Sequence, residues 1–397
     1  MKKEALWTKN FVLVSAANFF LFVSYYSLLV TLPSAAINEF HTTSSIAGLF
    51  NTFFLASAII IRPFIGSWID KYGKKFVLVV SYILFAIVSV LYGFFESVLI
   101  LLMLRFLQGI GFGIATTGGG GIVADIIPES RKGEGIGYFV MSNNISMVVG
   151  PFIGITTYSN FGILSLFMIV ALCSFLSLLC SVLIKLPRER VVKESTKQKE
   201  KPPIFEKGAI PVSITAAFLA MSYAAVLSFM AVFADERGLG NVSGYFFVVF
   251  AIVLILSRPF TGVWFDRYGA NAVIYPAIIV YSCGMLTLGL SHHELTFFLA
   301  AALIGVGWGT LFSSFQTVAI QRSNPKRSSV ATATYLSIFD IGIGGGSYLV
   351  GLLAKYIHLG SMYIFLSIYI ILGLGVYYWA QREKREEEYT KIHHEAK

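Results

Sequence analysis

The sequence predicts an all-α integral membrane protein in which twelve transmembrane helices form two pseudo-symmetric six-helix bundles. Its composition, the spacing of its apolar runs and an internal repeat predict this fold. Of the 397 residues, 56% are hydrophobic and only 13% are charged, and the mean hydropathy is +0.75. A soluble domain carries about 25% charged residues. The chain is therefore too apolar for water, and its predicted solvent is lipid.

Apolar runs of roughly 20 residues, long enough to cross a bilayer as helices, recur along the chain. We place them at 11–34, 43–66, 76–95, 97–122, 134–157, 162–186, 209–233, 243–265, 271–291, 295–319, 329–355 and 360–381. The segment 187–208 is polar and contains three prolines, which predicts a cytoplasmic linker. The predicted domains are an N-terminal six-helix bundle at 1–186, this linker, a C-terminal six-helix bundle at 209–381 and a charged cytoplasmic tail at 382–397.

Basic residues predict the orientation, because cytoplasmic loops of membrane proteins are enriched in Lys and Arg. With the N-terminus inside, the inner loops hold Lys71, Lys74, Lys75, Arg131, Lys132, Arg267, Arg322, Lys326 and Arg327. We therefore expect a multi-pass protein of the cell (plasma) membrane with both termini cytoplasmic. The net charge of +9 is spread over these loops, which argues against a nucleic-acid partner. Cys173, Cys180 and Cys283 lie inside apolar runs and predict no disulfide framework.

An internal repeat becomes visible when the first half is shifted by 196 residues. Under this shift "RPFIGSWIDKYG", starting at Arg62, aligns with "RPFTGVWFDRYG", starting at Arg258. The same shift aligns Gly109, Gly111 and Gly113 with Gly305, Gly307 and Gly309. Because six crossings return the chain to the same side of the membrane, the two halves have the same orientation. Such parallel repeats predict a substrate path between them.

The stretch "GSWIDKYGKK", from Gly66 to Lys75, resembles the loop motif between helices two and three of the major facilitator superfamily. The resemblance covers essentially the whole chain and implies a transporter that works by alternating access, with no enzymatic activity and no cofactor or metal. It also implies a small-molecule substrate, protons and the lipid bilayer as partners, and we expect a monomer. In the family the Asp of this motif, here Asp70, is held by the positive N-terminus of helix eleven, here near Ser328 and Ser329. The alternative is an ordinary solvated turn.

The gating motif and its second copy comprise Gly66, Asp70, Lys71, Gly73, Lys74, Lys75, Asp125, Arg131, Asp266 and Arg267. Gly66 is expected to permit close helix approach and Gly73 a tight turn. The second copy differs at its end, where Ala270 and Asn271 replace the two lysines and Gln321 replaces Asp125. A basic and an acidic position are both neutral there. We infer that Lys74 or Lys75 pairs with Asp125, with coincidence as the alternative.

Two ionisable residues lie deeper in apolar runs. Asp340 is about 16 Å into its helix at about 1.5 Å per residue, where a charge costs on the order of 3 kcal/mol or much more. Arg105 with Gln108 and Gly109 resembles the "RxxQG" motif of helix four, which the family links to proton coupling. Asp340 and Arg105 are therefore proton-coupling candidates. The alternatives are a structural Asp bonded to a neighbouring helix, and a structural Arg that binds carbonyls or an anionic substrate group.

The predicted fifth helix contains "GYFVMSNNISMVVGPFIG", which resembles the antiporter motif of the drug-exporting branch of the family. Gly137, Gly150, Pro151 and Gly154 match that motif, whereas Ser146 and Ile155 replace two of its glycines. Glycine and proline weaken and bend a helix, and small residues allow tight packing that would seal the outer half. The alternative is a packing kink without directional meaning.

The cavity candidates are residues with polar tips or aromatic faces on the helices expected to line the path. They are Asn18, Tyr25, Asn143, Asn144, Tyr223, Trp308, Gln316 and Tyr335. Such side chains suit an amphiphilic organic solute, and core packing is the alternative for each aromatic residue.

Three functions remain open. The first is proton-coupled efflux (antiport) of small amphiphilic or hydrophobic compounds. The second is an uptake symporter or facilitator for a sugar, organic acid or other nutrient, since the helix-five motif is imperfect. A membrane enzyme or receptor is the third, and it is disfavoured because the sequence holds no HExxH, nucleophile elbow or clustered His and Cys. The sequence contains no Walker motif, so ATP is not expected to be the energy source.

Overall fold

A computed structural model describes residues 5–128, 131–185, 205–323 and 328–395. In this described part all regular structure is helical, and it includes eleven helices long and apolar enough to cross a membrane. They are α1 (Lys9–Asn38), α2 (Ser44–Tyr72), α3 (Lys74–Leu91), α4 (Val98–Ile126), α5 (Lys132–Leu183), α6 (Ile210–Glu236), α7 (Ser243–Tyr268), α8 (Ala270–Gly289), α9 (Glu294–Gln321), α10 (Ser328–Leu353) and α11 (Leu359–Glu395). The predicted all-α membrane fold is confirmed.

Helix α5 contains two of the twelve predicted helices. Its 52 residues would extend about 78 Å at about 1.5 Å per residue, more than twice the roughly 30 Å of a bilayer core. The backbone leaves the helical conformation at Gly162, with φ 78° and ψ 179°. Only glycine adopts such a conformation without strain. We call the segments before and after Gly162 the N-terminal and C-terminal arms of α5.

Contacts with α1 show that the chain reverses between these arms. In the N-terminal arm, Ser146 Oγ donates to the Phe19 carbonyl at 3.0 Å and Ser27 Oγ donates to the Gly150 carbonyl at 2.8 Å, so the two helices run parallel. In the C-terminal arm, Ser177 Oγ donates to the Ala17 carbonyl at 3.0 Å. Just after that arm ends, the Lys185 N–H donates to Asn10 Oδ1 at 3.0 Å, so the arm is antiparallel to α1. With the two arms of α5 counted separately, the helices of the described residues supply twelve segments long enough to cross a membrane.

The chain divides into two compact units, unit 1 at Met1–Pro202 and unit 2 at Pro203–Lys397. Unit 1 contains α1 to α5, and unit 2 contains α6 to α11. Most of the predicted linker, 187–208, lies outside the described residues. The backbone of the predicted tail continues α11 as far as Glu395.

Three glycines at alternate positions allow the fourth helix of each unit to pack closely on two neighbours. A Cβ on Gly109 would lie 2.1 Å from the Phe54 carbonyl oxygen of α2, and one on Gly305 would lie 2.4 Å from that of Phe250 in α7. Four residues later, Gly113 faces α2 and Gly309 faces α7 in the same way. The intervening Gly111 and Gly307 instead face α3 and α8. Because each matching pair is 196 residues apart, the sequence repeat is a repeat of helix contacts.

The motif turns also recur in both units. Gly73 joins α2 to α3 with φ 83°, and Gly269 joins α7 to α8 with φ 81°. Each donates its backbone N–H to the fourth preceding carbonyl, which ends the helix. A side chain would strain this conformation, so the tight turn predicted at Gly73 requires glycine. No described atom lies within 4 Å of the position of a Cβ on Gly66, so the predicted close approach there does not occur among the described residues.

Candidate functional site

An ion pair joins α3 to α4 at the turn of the gating motif. Lys74 Nζ contacts Asp125 Oδ2, whereas Lys75 is exposed and makes no ion pair in the described residues. Lys74 begins α3 and Asp125 lies in the last turn of α4. Their side chains are 25% and 51% exposed. An exposed pair contributes about 0–1 kcal/mol to stability. We therefore regard this pair chiefly as a link that positions the start of α3 against the last turn of α4.

Three other charged groups of the motif, Lys71, Asp266 and Arg267, are exposed. Lys71 Nζ lies 5.0 Å from the ring centre of Tyr72, and the Arg267 guanidinium lies 5.4 Å from that of Tyr268. Asp266 is exposed and Arg131 is half-buried. The side chains of Asp70, Ser328 and Ser329 are outside the described part of the chain, so the contact that the resemblance implies for Asp70 stays a prediction.

At the corresponding turn of unit 2, Asn271 belongs to a hydrogen-bond network that was not predicted from the sequence. Asn271 Oδ1 accepts hydrogen bonds from Tyr377 Oη at 2.8 Å and Gln381 Nε2 at 3.1 Å. Arg322 donates to the Ala380 carbonyl at 3.2 Å and to Gln381 Oε1. This network ties α8 and the end of α9 to α11.

Arg105 of α4 is completely buried. Its Nη1 donates to Gln108 Oε1 at 2.8 Å and its Nη2 to Asn51 Oδ1 at 3.4 Å, while its Cζ lies 4.4 Å from the ring centre of Phe54. Its Nε has no hydrogen-bond partner among the described residues, and no described carboxylate pairs with the guanidinium. The charge is therefore stabilised by neutral dipoles and by an aromatic face.

The bonds of Arg105 belong to a closed series of contacts that starts and ends on α1. Gln108 Nε2 donates to Ser89 Oγ of α3 at 3.0 Å, and Ser89 Oγ lies 2.9 Å from Ser174 Oγ in the C-terminal arm of α5. Ser174 Oγ is 3.3 Å from Ser24 Oγ of α1. In the other direction, Asn51 Nδ2 of α2 donates to the Leu29 carbonyl of α1 at 2.9 Å. We call Ser24, Asn51, Ser89, Arg105, Gln108 and Ser174 the polar ring.

Unit 2 has an apolar residue at every position that corresponds to the polar ring. With the shift of 196 residues, the counterparts are Ala220, Phe247, Met285, Ala301, Ile304 and Ile370. All are at most 1% exposed. The repeated fold therefore packs without these polar groups, and their presence in unit 1 calls for a reason other than folding. From the sequence only Arg105 and Gln108 stand out, and the other four members become visible when the two halves are compared at every apolar position.

The matching glycines of the helix-five motif set the distance between α1 and α5. A Cβ on Gly150 would lie 2.6 Å from Tyr26 Cβ, and one on Gly154 would lie 2.8 Å from the Ser27 carbonyl oxygen. Ser146, which replaces a motif glycine, is buried and donates to the Phe19 carbonyl at 3.0 Å. Pro151 lies inside the helix, and Ile155 is buried. Gly137 also falls within α5, in a part where burial is not described.

The cavity candidates of unit 1 lie on α1 and on the N-terminal arm of α5. Asn18 Nδ2 donates to Ser142 Oγ at 3.0 Å and to Asn143 Oδ1. The Tyr25 ring stacks on Phe54 with centres 4.9 Å apart. Asn18 and Tyr25 are both buried. The side chain of Asn144 lies outside the described part of the structure.

The cavity candidates of unit 2 belong to a continuous aromatic cluster. Tyr223 stacks on Trp308 with centres 4.3 Å apart, and Trp308 is 6.0 Å from Phe339. Phe339 is 6.1 Å from Tyr335 and 5.1 Å from Phe312. Tyr223, Trp308 and Tyr335 are buried, whereas Phe312 and Phe339 are half-buried. These two phenylalanines, which the sequence analysis missed, lie one turn after Trp308 and Tyr335 and form the accessible face of the cluster.

The two ionisable candidates belong to different units. Asp340 is half-buried in α10, directly after Phe339. Gln316 is half-buried in α9, one turn after Phe312. Asp340 and Gln316 therefore lie within one helical turn of Phe339 and Phe312 along α10 and α9. Arg105, in contrast, is enclosed in the core of unit 1.

Comparisons with known proteins agree with this architecture. The family model described as Major Facilitator Superfamily matches residues 14–347. An uncharacterized MFS-type transporter of Methanocaldococcus jannaschii, MJ1560, is 26% identical over 86% of this chain and 90% of its own length. The quinolone resistance protein NorA of Staphylococcus aureus is 30% identical over 34% of this chain and 35% of its own. A bacterial homolog of the human lysosomal transporter Spinster, solved inward-facing and unoccupied, has a TM-score of 0.75 at 17% identity over 96% of this chain and 98% of its own.

Proposed function

Because the chain belongs to the Major Facilitator Superfamily of transporters, which are not enzymes, we propose that it exports small amphiphilic or hydrophobic compounds by proton-coupled antiport and alternating access. The chain is a multi-pass membrane protein. We further propose that it works as a monomer in the plasma membrane with both termini cytoplasmic, since the basic residues concentrate in one set of loops.

The polar ring is the observation that carries this proposal. A guanidinium buried in a membrane protein is costly, and such groups are retained where they act on ions or substrates. The apolar counterparts in unit 2 indicate that the fold does not require the ring. We therefore assign the ring to coupling.

Arg105 and Asp340 take different roles in this mechanism. Arginine keeps its proton in proteins, so Arg105 cannot be the group that takes up and releases the coupled proton. A carboxyl group can, and Asp340 is a half-buried carboxyl in the membrane-spanning part of unit 2. We assign proton uptake and release to Asp340. We assign to Arg105 the role of a fixed positive charge whose electrostatic field disfavours the entry of other cations into unit 1.

The surroundings of Asp340 support an amphiphilic substrate. Phe312 and Phe339 present aromatic faces, and Gln316 offers an amide on the same helix as Phe312. An apolar site with a few polar groups binds amphiphilic organic molecules. The name of the partly matching relative NorA, a quinolone resistance protein, supports efflux of such compounds.

Uptake of a sugar, organic acid or other nutrient, by symport or facilitation, is the second candidate function. The departures of Ser146 and Ile155 from the antiporter pattern favour it. Ser146 still packs against α1 through its bond to Phe19, so the close contact survives the substitution.

Transport by reconstituted protein tests the proposal. The full chain is placed in liposomes with an internal pH-sensitive dye, a pH gradient is imposed, and lipophilic cations and small metabolites are added in turn. Export by antiport predicts proton movement opposite to substrate movement, and loss of this exchange in Asp340→Asn. Glu294→Gln, which changes an exposed carboxylate at the start of α9, is the matched control. Proton movement in the same direction as the substrate would establish symport, and substrate flux without proton movement would discard coupling.

A further inference from the structure

A second aromatic cluster lies in unit 1, around the middle of α1. Tyr25 stacks on Phe54 of α2 with ring centres 4.9 Å apart, and its ring centre is 4.8 Å from that of Phe112 in α4. The ring centre of Phe22 is 5.1 Å from that of Phe112 and 6.0 Å from that of Tyr26. We call these five residues the unit 1 cluster.

Phe22 and Tyr26 form the accessible face of the unit 1 cluster. Both are half-buried, whereas the other three members are at most 7% exposed. Phe22 contacts Phe112 of α4, and a Cβ on Gly150, in the N-terminal arm of α5, would lie 2.6 Å from Tyr26 Cβ. By comparison, Phe175 in the C-terminal arm of α5 is 56% exposed. The rings of Phe22 and Tyr26 are therefore recessed between α4 and the N-terminal arm of α5.

A positive charge stands behind the unit 1 cluster. The Arg105 guanidinium lies against the Phe54 ring, with its Cζ 4.4 Å from the ring centre. It is completely buried and donates to the neutral side chains of Gln108 and Asn51. Arginine keeps its proton in proteins, and a buried charge is screened much less than an exposed one. The field of the guanidinium therefore extends to the rings of the cluster.

The acidic residues of α2, α4 and α5 are far from this charge along their helices. Each is 16 or more residues, about 24 Å or more at about 1.5 Å per residue, from the residue of the same helix that packs at the cluster. The pairs are Asp70 and Phe54, Asp125 and Arg105, and Glu134 and Gly150. Glu96, just before α4, is exposed and makes no ion pair in the described residues. The described part of unit 1 therefore leaves the charge of Arg105 without a carboxylate partner.

The cluster of unit 2 repeats the aromatic scaffold without this charge. Under the shift of 196 residues, two buried rings of the unit 1 cluster correspond to Phe250 and Trp308. Arg105 corresponds to Ala301, which is completely buried. The aromatic packing therefore does not require a guanidinium, and the charge distinguishes the two clusters.

We propose that Phe22 and Tyr26 bind an aromatic ring of the transported compound, and that Arg105 restricts this contact to rings without a positive charge. Stacking accepts aromatic rings with varied substituents. The guanidinium repels a cationic substituent, whereas it tolerates a hydroxyl and attracts a carboxylate. The inference rests on the proposed function, because it takes the bound compound to be the transport substrate. It narrows the amphiphilic compounds at this contact to neutral or anionic aromatic ones.

Equilibrium binding to the full chain in detergent tests the contact with three probes that share one ring system. They are 2-naphthoate, 2-naphthylmethanol and 2-naphthylmethylammonium, measured by isothermal titration calorimetry at neutral pH. Phe22→Leu removes a ring from the accessible face and should weaken the binding of the first two probes about fivefold. Its effect on the ammonium probe should be absent. Phe53→Leu, the matched control, changes a half-buried ring of α2 that contacts Phe106 outside the cluster, and it should bind all three probes as the unmodified chain does.

Arg105→Met tests the charge, because it removes the guanidinium and keeps a long side chain. The ammonium probe should then bind about tenfold more tightly, and Phe22→Leu in this background should weaken it. If Arg105→Met fails to fold, the three probes with Phe22→Leu decide alone, since Phe22 is half-buried and outside the polar ring.

Three outcomes overturn the proposal. The first is that neither 2-naphthoate nor 2-naphthylmethanol binds, and the second is that Phe22→Leu affects them no more than Phe53→Leu does. The third is that Phe22→Leu weakens the ammonium probe of the otherwise unmodified chain as much as it weakens 2-naphthoate. Because binding is measured without a pH gradient, a failure of this contact leaves proton exchange in liposomes intact. Absence of proton exchange likewise leaves these affinities unchanged, so the two failures are distinguishable.

Discussion

Gly109 of α4 and Phe54 of α2 approach so closely that a Cβ on the glycine would lie 2.1 Å from the phenylalanine carbonyl oxygen. Neither helix backbone can move apart without losing packing contacts, so we expect Gly109→Ala to lower the free energy of unfolding by about 3 kcal/mol. Gly305→Ala should do the same, since its Cβ would lie 2.4 Å from the Phe250 carbonyl. Thermal unfolding in detergent measures both effects.

Gly119 of the same helix is the control for this prediction. No described atom lies within 4 Å of a Cβ there, so Gly119→Ala should be neutral or stabilise by up to about 1 kcal/mol. Equal losses of stability at Gly109 and Gly119 would show that the helix resists any substitution and that close packing is not the cause.

Ser174 is expected to stabilise unit 1 through its link between helices. Ser174 and Ser181 are both completely buried in the C-terminal arm of α5. Ser174 contacts Ser89 and Ser24 on other helices, whereas Ser181 Oγ donates to the Leu178 carbonyl of its own helix. We expect Ser174→Ala to lower the free energy of unfolding by about 1 kcal/mol, and Ser181→Ala to change it by less than about 0.5 kcal/mol. Similar values for the two variants would contradict a stabilising ring.

Gln108 bonds to two members of the polar ring, so its removal should take one hydrogen bond from each of them. Its Oε1 accepts from Arg105 and its Nε2 donates to Ser89. Gln108→Ile, which introduces the residue found at the same position of unit 2, is expected to cost about 2 kcal/mol or more because a buried cation loses a hydrogen bond. Equilibrium unfolding measures the loss, and Gln108→Glu, which still accepts from Arg105, should retain more stability. An unchanged stability in Gln108→Ile would show that the guanidinium does not depend on this bond.

Lys74, and not Lys75, is expected to couple energetically to Asp125. A double-mutant cycle with Lys74→Gln and Asp125→Asn should yield an interaction energy of about 0.2–1 kcal/mol at low salt. The energy should fall as salt is raised, because both side chains are partly exposed. The parallel cycle with Lys75→Gln should yield no interaction energy, and a value as large as that of Lys74 would refute the assignment.

Sequence and structure agree best where the requirement is steric or periodic along the chain. The length of the apolar runs predicted twelve crossings, and the contacts of α5 with α1 show that its 52 residues make two of them. The glycines 109, 111 and 113 were recognised as a repeat because a close approach or a special turn accepts few other residues. Their spacing within one helix already contains the information.

The polar ring could be predicted from the sequence only in part. Arg105 was conspicuous as a charge in an apolar run, but Ser24, Ser89 and Ser174 look like ordinary small residues of membrane helices. Ser174 is separated along the chain by 85 residues from Ser89 and by 150 residues from Ser24, the two serines that it contacts. Only the packing of helices decides which faces meet.

The sequence by itself determined that this protein is a duplicated bundle of membrane helices, because hydropathy and glycine spacing are properties of each segment alone. Tertiary structure decided that Asp125 pairs with Lys74 and that the ring joins five helices around Arg105. It also decided that Asn271, at the corresponding turn of unit 2, accepts hydrogen bonds from Tyr377 and Gln381 of α11. These outcomes depend on the rotation of each helix about its axis and on short-range, directional hydrogen bonds, which no single segment specifies.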